Sequence, residues 1–413
     1  MTEDWNSLTL SDFAPASPEE KARVQPEPEN VSYWKDAWRR LRKNGVAMAA
    51  LAVLILIVLF AFVGPLIVPY DYSTFLPGAE NLRPWHYSLE DQRKIEAATL
   101  TLEEALEQAR QEAEANGVPF TAVDEARIRA EYRTGSHTAD PKELGVKKRP
   151  FGYSRDELER MEQGEWVFPH VFGTDNNGRD IMARVMVGTR VSISIGVGAA
   201  LLVLAIGATY GAISGYFGGK VDAVMQRIVE IIYAVPEMLV VLLLATALKP
   251  SLEAFINSGT GPLRGFVTLL GPNIISLFLA FGLLYWVTMS RIIRGQVLQL
   301  KQQEYVTAAK ALGASGGRII RTHLLPNCVG QIVVTTCLQI PSAIFLESFL
   351  SFLGVGVSAP LTSLGSMASD ALSGMYSYAY RLVIPAAFLA VLILSFNLFG
   401  DGLRDALDPK LKK

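Results

Sequence analysis

Three acids, Glu230, Glu237 and Glu347, stand in otherwise apolar runs. Each costs about 3 kcal/mol at mid-bilayer and so needs a cavity or a partner. Glu230, Tyr233 and Glu237 recur at helical spacing on one face, beside Pro236, which removes a helix hydrogen bond and predicts a kink. A span beginning near Ile228 puts Glu237 about 14 Å along its axis, close to the midplane. Glu347 falls near the outer end of a later span. Carboxylates so placed suit a translocation pathway that favours an ammonium or guanidinium group, with Glu237 the leading candidate. The competing reading is a static pair with an arginine or a hydroxyl.

No other set of residues is spaced for catalysis. His86, His137, His170 and His323 are scattered without ligand spacing. Cys328 and Cys337 lie on one helical run about 13 Å apart along its axis, beyond disulfide reach. Asp175-Asn176-Asn177-Gly178 is a turn signal, but the register puts Arg179 where a calcium loop requires an oxygen ligand. In SGYFGGKV, Ser214 stands at the first glycine of a phosphate loop and Val221 at its Ser/Thr. No catalytic residue, metal or cofactor is expected.

Residues 304–327 form a charged, Ala/Gly-rich segment between two membrane-length apolar runs. Tyr305, Ala308, Ala309 and Leu312 share one face of a short helix that Gly313 can end in the left-handed conformation. Ser315 can cap a second short helix carrying Ile319, Ile320 and His323, until Leu325-Pro326 stops it. The product is a small-residue knob at the membrane surface.

The elements that must position these groups are membrane spans. Of 413 residues 50% are hydrophobic, yet 19% are charged, so the charges are segregated. Apolar windows able to cross about 30 Å of hydrocarbon begin near Val46, Val191, Ile228, Ile274, Cys328 and Ile384. Lys and Arg cluster before the first window (Lys35, Arg39, Arg40, Arg42, Lys43) and in the 291–323 loop, which places both termini and the knob in the cytoplasm. An even number of spans agrees. The resulting division is a cytoplasmic tail over 1–44, a first span over 45–69 and an extracytoplasmic insert over 70–180. A core over 181–403 follows, carrying a cytoplasmic loop over 294–327, and then a tail over 404–413. Residues 1–30 are polar, acidic and Pro-containing, which reads as a disordered tail before an uncleaved anchor. In the insert Ser88 with Asp91, Thr121 with Asp124, and Ser154 with Glu157 mark helix starts, and Asn116-Gly117 and Gly164 mark stops. The insert is either a solvated spacer or a docking surface for another protein. Gly207, Gly211 and Gly215, preceded by Gly188, Ser192 and Gly196, make a small-residue stripe for close helix packing.

The knob resembles the coupling loop of binding-protein-dependent ABC importer permeases, whose pattern is Glu-Ala-Ala, three residues, Gly, nine residues, Ile, one residue, Leu-Pro. Here Thr307-Ala308-Ala309, Gly313, His323 and Leu325-Pro326 fill that frame, with Thr for the acid and His for the Ile. GTDNNGRD, SGYFGGKVDA, RGQVL, LESFLSFLGVGV and FNLFGDGLRDALDP are similar to the peptide-importer branch, in the second of its two membrane subunits. Leu364 replaces a Trp often found there, and the insert is longer than usual for the branch.

The resemblance implies an all-α membrane protein with six transmembrane helices of the type I ABC importer permease fold and an extracytoplasmic helical insert. It implies a bacterial inner membrane location and contact with membrane lipid. The implied partners are a homologous second permease, two cytoplasmic ATP-binding subunits that hydrolyse ATP, and an extracytoplasmic peptide-binding protein; nucleic acid is not among them. Residues implied in ATPase coupling are Glu304, Tyr305, Thr307, Ala308, Ala309, Leu312, Gly313, Ala314, His323, Leu325 and Pro326. Related permeases carry nickel chelates, glutathione or oligosaccharides, which are alternative cargoes. An ion-driven secondary transporter would show inverted repeats and an ion relay, and a receptor or scaffold would leave the knob without a purpose.

Overall fold

A computed structural model of the protein describes residues 33–99, 101–134, 140–258, 264–265, 267–268 and 271–407; His137 and residues 1–32 fall outside these. In chain order the helices are α1 (Tyr33–Leu41), α2 (Gly45–Phe62), α3 (Leu89–Ala98), α4 (Leu102–Ala115), α5 (Ala122–Thr134) and α6 (Arg155–Glu162). They continue as α7 (Ile181–Phe217), α8 (Gly219–Ala234), α9 (Glu237–Ser258), α10 (Pro272–Leu300) and α11 (Glu304–Ala311). The last three are α12 (Gly316–Phe352), α13 (Leu364–Ala371) and α14 (Tyr380–Leu407). Among the described residues six helices, α2, α7, α9, α10, α12 and α14, are long and apolar enough to cross a membrane.

The expected six spans are there, with three shifted boundaries. α7 starts at Ile181, ten residues before Val191, because Asp180 caps it by accepting the Ala183 N–H at 2.7 Å. Pro236 breaks the chain rather than kinking it, so the third span begins at Glu237 and the preceding residues form a separate helix, α8. Leu325-Pro326 does not stop the helix before the fifth span. Pro326 sits in the first turn of a 3-10 segment, where a missing N–H costs little, and α12 runs through a π turn (Ile320–Leu324) and that segment into the span. Between α10 and α12 the residues outside the two long helices are 301–315, which carry α11, and α14 is helical through Leu407.

The glycine stripe places α7 at the centre. A methyl on Gly211 would lie 2.3 Å from the Ser290 carbonyl of α10, and one on Gly215 2.9 Å from that of Arg294. At the other end, a methyl on Gly196 would meet Ile344 of α12 at 2.5 Å, and Gly188 abuts the start of α13. α14 closes against α2, where Gly402 accepts Ala47, and the Tyr33 hydroxyl of α1 donates to the Leu407 carbonyl at 3.2 Å. Both ends of the membrane domain therefore meet on one side, the same side as α11.

The insert is helical with one amendment to the all-α expectation: Trp85–His86 pairs antiparallel with Arg149–Pro150 (β1, β2). The three expected caps form at Ser88, Thr121 and Ser154, and Thr101 with Glu104 makes a fourth. His170 locks the insert to α7. Fully buried and stacked on Tyr70 with ring centroids 4.3 Å apart, it lies 2.7 Å from Asp180 and 3.2 Å from Glu157. Those carboxylates also cap α7 and α6, so one imidazole joins two helix starts. Burial opposes its charge, but the hydrogen bonds to Asp180 and Glu157 prevail and raise the imidazole to about 9. Burial also pushes Glu157 up, yet bonds from His170 and Ser154 hold it below the ordinary carboxylate value.

Because the folded-state value of His170, about 9, exceeds the unfolded value of about 6.5, its stabilisation is complete below the latter and disappears as pH rises through the former. The difference is about 3 kcal/mol. Thermal unfolding across that window should show a falling melting temperature in the wild type and a flatter profile in His170→Gln; parallel profiles would refute the charged clamp.

Candidate functional site

α11 presents the knob. Its C-terminus closes with paired bonds, Gly313 N–H to Lys310 O at 2.9 Å and Ala314 N–H to Ala309 O at 3.0 Å, which require the left-handed φ of +78° that Gly313 supplies. Ser315 then caps the first turn of α12 by accepting the Arg318 N–H. Val306 and Ala309 are the anchors: both are buried against the cluster that holds Ile319, Ile320 and Leu324. Outward lie Glu304, Tyr305, Thr307, Ala308 and Leu312, the last 88% exposed. Ala309 therefore belongs to the inner face, a correction to the single face expected from spacing. His323 joins the knob through its backbone, because Asn327 donates to the His323 carbonyl at 2.6 Å and to the Tyr305 hydroxyl at 3.4 Å.

Beneath the knob is a floor that sequence reasoning did not anticipate. Arg294 of α10 grips Asp222 of α8 through two N–H donors at 2.6 and 2.5 Å, and Ser214 of α7 donates to the same carboxylate. The Arg294 bond foremost holds Asp222 below the ordinary carboxylate value. Lys301 donates to the Gly215 carbonyl at 2.9 Å, and the Lys310 ammonium lies 5.4 Å from the Tyr216 ring centroid. Opposite charges at the ends of neighbouring spans, one in SGYFGGKVDA and one in RGQVL, were the available signal.

Along the face where Tyr233, Met238 and Phe345 are exposed is an open cavity of about 750 Å³. Its walls coincide with departures from regular helix: the Val235-Pro236 break, the π turn Phe281–Tyr285 in α10, and Pro341 in α12. Such places free backbone groups that a water-lined space can satisfy. Glu237, Tyr285, Gln339 and Asn397 give it polar lining, and Phe345 and Ile393 apolar lining. Glu237 reaches the cavity from the first turn of α9, not from the middle of a span.

The other two acids lie elsewhere. Glu230 pairs with Arg227 at 2.7 Å on the exposed side of α8; with the helix broken at Pro236 it shares no face with Glu237. Glu347 has no exposed surface and accepts hydrogen bonds from Ser192 and Ser351 at 2.7 Å each and from Ser348 at 3.2 Å. It ties α7 to α12 and lines no pathway. Ser192, read as a packing residue, is a donor in that tie.

Residues 207–413 match the family described as binding-protein-dependent transport system inner membrane component, and residues 32–84 match the N-terminal TM domain of oligopeptide transport permease C. The oligopeptide transport system permease protein OppC of Bacillus subtilis (strain 168) is 37% identical over 97% of each chain. The dipeptide transport system permease protein DppC of that strain is 35% identical over 93% of this chain and 88% of its own. OppC of Escherichia coli (strain K12) is 35% identical over 99% of each chain. The chain belongs to this family of inner membrane transport components. It is a multi-pass permease, and its cavity sits among the spans α9, α10, α12 and α14. The permease holds Asp222 with Arg294 and Glu347 with serines as struts, and leaves Glu237 open to the cavity.

The two corrected acids separate in a stability measurement. Glu347→Ala strands the Ser192 and Ser351 hydroxyls in the interior and should cost about 2–4 kcal/mol, read as lower yield and melting temperature in detergent. Glu230→Ala removes an exposed pair worth under about 1 kcal/mol and should leave both unchanged. Equal effects would contradict the assignment.

Proposed function

We propose that this chain is the permease of an ATP-driven importer that takes peptides from an extracytoplasmic binding protein and delivers them to the cytoplasm by alternating access. Its partners are a homologous second permease and two cytoplasmic ATP-binding subunits, with both termini and α11 in the cytoplasm and the insert outside. The observation that carries this reading is the build of α11: a thin ridge of Tyr305, Thr307, Ala308 and Leu312, stiffened by its own C-terminal bonds and fixed by Val306 and Ala309. Small side chains suit a narrow cleft in a motor subunit. Full-length kinship to proteins named for oligopeptide and dipeptide transport supports the cargo.

On this reading the motor subunits move the ridges of the two permeases, and the floor of Asp222 and Arg294 passes the movement to α7, α8 and α10. The cavity then opens to one side or the other. Glu237 attracts the cationic amino terminus or a basic side chain of the peptide, with Tyr285, Gln339 and Asn397 offering hydrogen bonds that do not depend on sequence.

Ala308→Arg should leave the protein in the membrane at wild-type abundance while ATP hydrolysis by the assembled complex no longer drives uptake; undiminished peptide uptake would contradict the ridge's role. Glu237→Gln should retain abundance and reduce uptake of basic peptides more than that of neutral ones, by roughly tenfold if a contact worth about 1.4 kcal/mol is lost. An unchanged ratio would remove Glu237 from the pathway.

A further inference from the structure

Helix α1 is amphipathic in an uncommon order. Ala37 and Leu41 face inward, with Ala37 in a cluster with Val334 and Leu407 and Leu41 in one with Ala47 and Ala406. Trp34 and Trp38, one turn apart, remain 51% and 46% exposed. Lys35 and Arg39 follow each of them by one residue, and Arg42 and Lys43 continue the exposed cationic surface in the turn that leads to α2. Among the described residues the ion pair of this helix is Arg40 with Asp36, a pair that does not engage those four cations. Lys35, Trp38, Arg39 and Arg42 line a cleft of about 380 Å³, and the Arg42 guanidinium lies 5.9 Å from the Trp38 ring centroid.

The position of this surface is fixed. Asn44 caps α2 by accepting the Ala47 N–H at 3.1 Å, so only residues 42–44 separate α1 from a membrane span, and α1 lies level with the span's start. Tryptophan rings partition to the headgroup boundary, and Lys and Arg beside them meet whatever charge the headgroups carry. A protein partner would have to bury two indoles together with four cations that have no acidic partner among the described residues; anionic headgroups satisfy both at once.

We propose that α1 is an interfacial helix that binds anionic phospholipid, with Lys35, Arg39, Arg42 and Lys43 holding the phosphate groups and Trp34 and Trp38 seated at the headgroup boundary. This site is independent of what the permease carries and of where its motor docks. Its occupancy fixes the depth and tilt of α2 and, through Tyr33 and Leu407, of α14.

The test is native mass spectrometry of the full-length protein in detergent, titrated with phosphatidylglycerol or phosphatidylcholine of identical acyl chains. Wild type should bind phosphatidylglycerol at least about tenfold more tightly, each cation contributing about fivefold, with the preference shrinking at high salt. A K35Q/R39Q/R42Q/K43Q variant should lose that preference, while the charge-preserving K35R/R39K/R42K/K43R variant should keep it and so report on folding. Equal binding of the two lipids by wild type, or an unchanged preference in the glutamine variant, would overturn the proposal. Loss of a co-purifying protein chain from the glutamine variant with lipid preference intact would assign the surface to a protein and overturn it equally.

Discussion

The structure depends on how closely the backbone of α7 approaches its neighbours. Where Gly211 meets Ser290 a single methyl would overlap a carbonyl oxygen, and the same intimacy recurs at Gly196 and Gly215. In hydrocarbon there is no hydrophobic drive to hold helices together, so close van der Waals contact takes its place. From Gly196 to Gly215 these contacts extend over about 28 Å of the α7 axis, at 1.5 Å per residue. The Asp222–Arg294 floor and the Glu347 tie can form only because these axes are already this near.

Rigidity near α7 contrasts with irregularity around the cavity. Pro236, the π turn of α10 and Pro341 each interrupt the hydrogen-bond ladder, and the cavity opens where the interruptions meet. The division of labour is physical. Regular helix with glycine contacts makes a stiff frame, whereas broken ladders supply unpaired polar groups and room for a solute.

Much of this was legible beforehand. Span number, the Gly313 stop, the Ser315 cap and the packing role of the glycines follow from local rules that tertiary context reinforced. Three things were not legible. The early start of α7 was hidden because Arg184, a charged residue unfavourable in a span, is buried against Asp175 and Asp370. The fate of Glu347 turned on Ser192, a residue 155 positions away, which no spacing rule reaches. Ala309 shares a stripe with Tyr305, Ala308 and Leu312 by spacing, but helical periodicity does not say which edge of a stripe meets the core, and Ala309 is on the buried edge.

The hydrogen-bond closure of α11 has one more effect. A segment whose terminal carbonyls are already satisfied by Gly313 and Ala314 has little slack, so it behaves as a strut instead of a tether. Under the proposed coupling role, a displacement imposed at its tip would arrive at the membrane with little attenuation, and docking onto it would require no prior ordering of the ridge. Weak contact over a small footprint would then suffice for mechanical transmission.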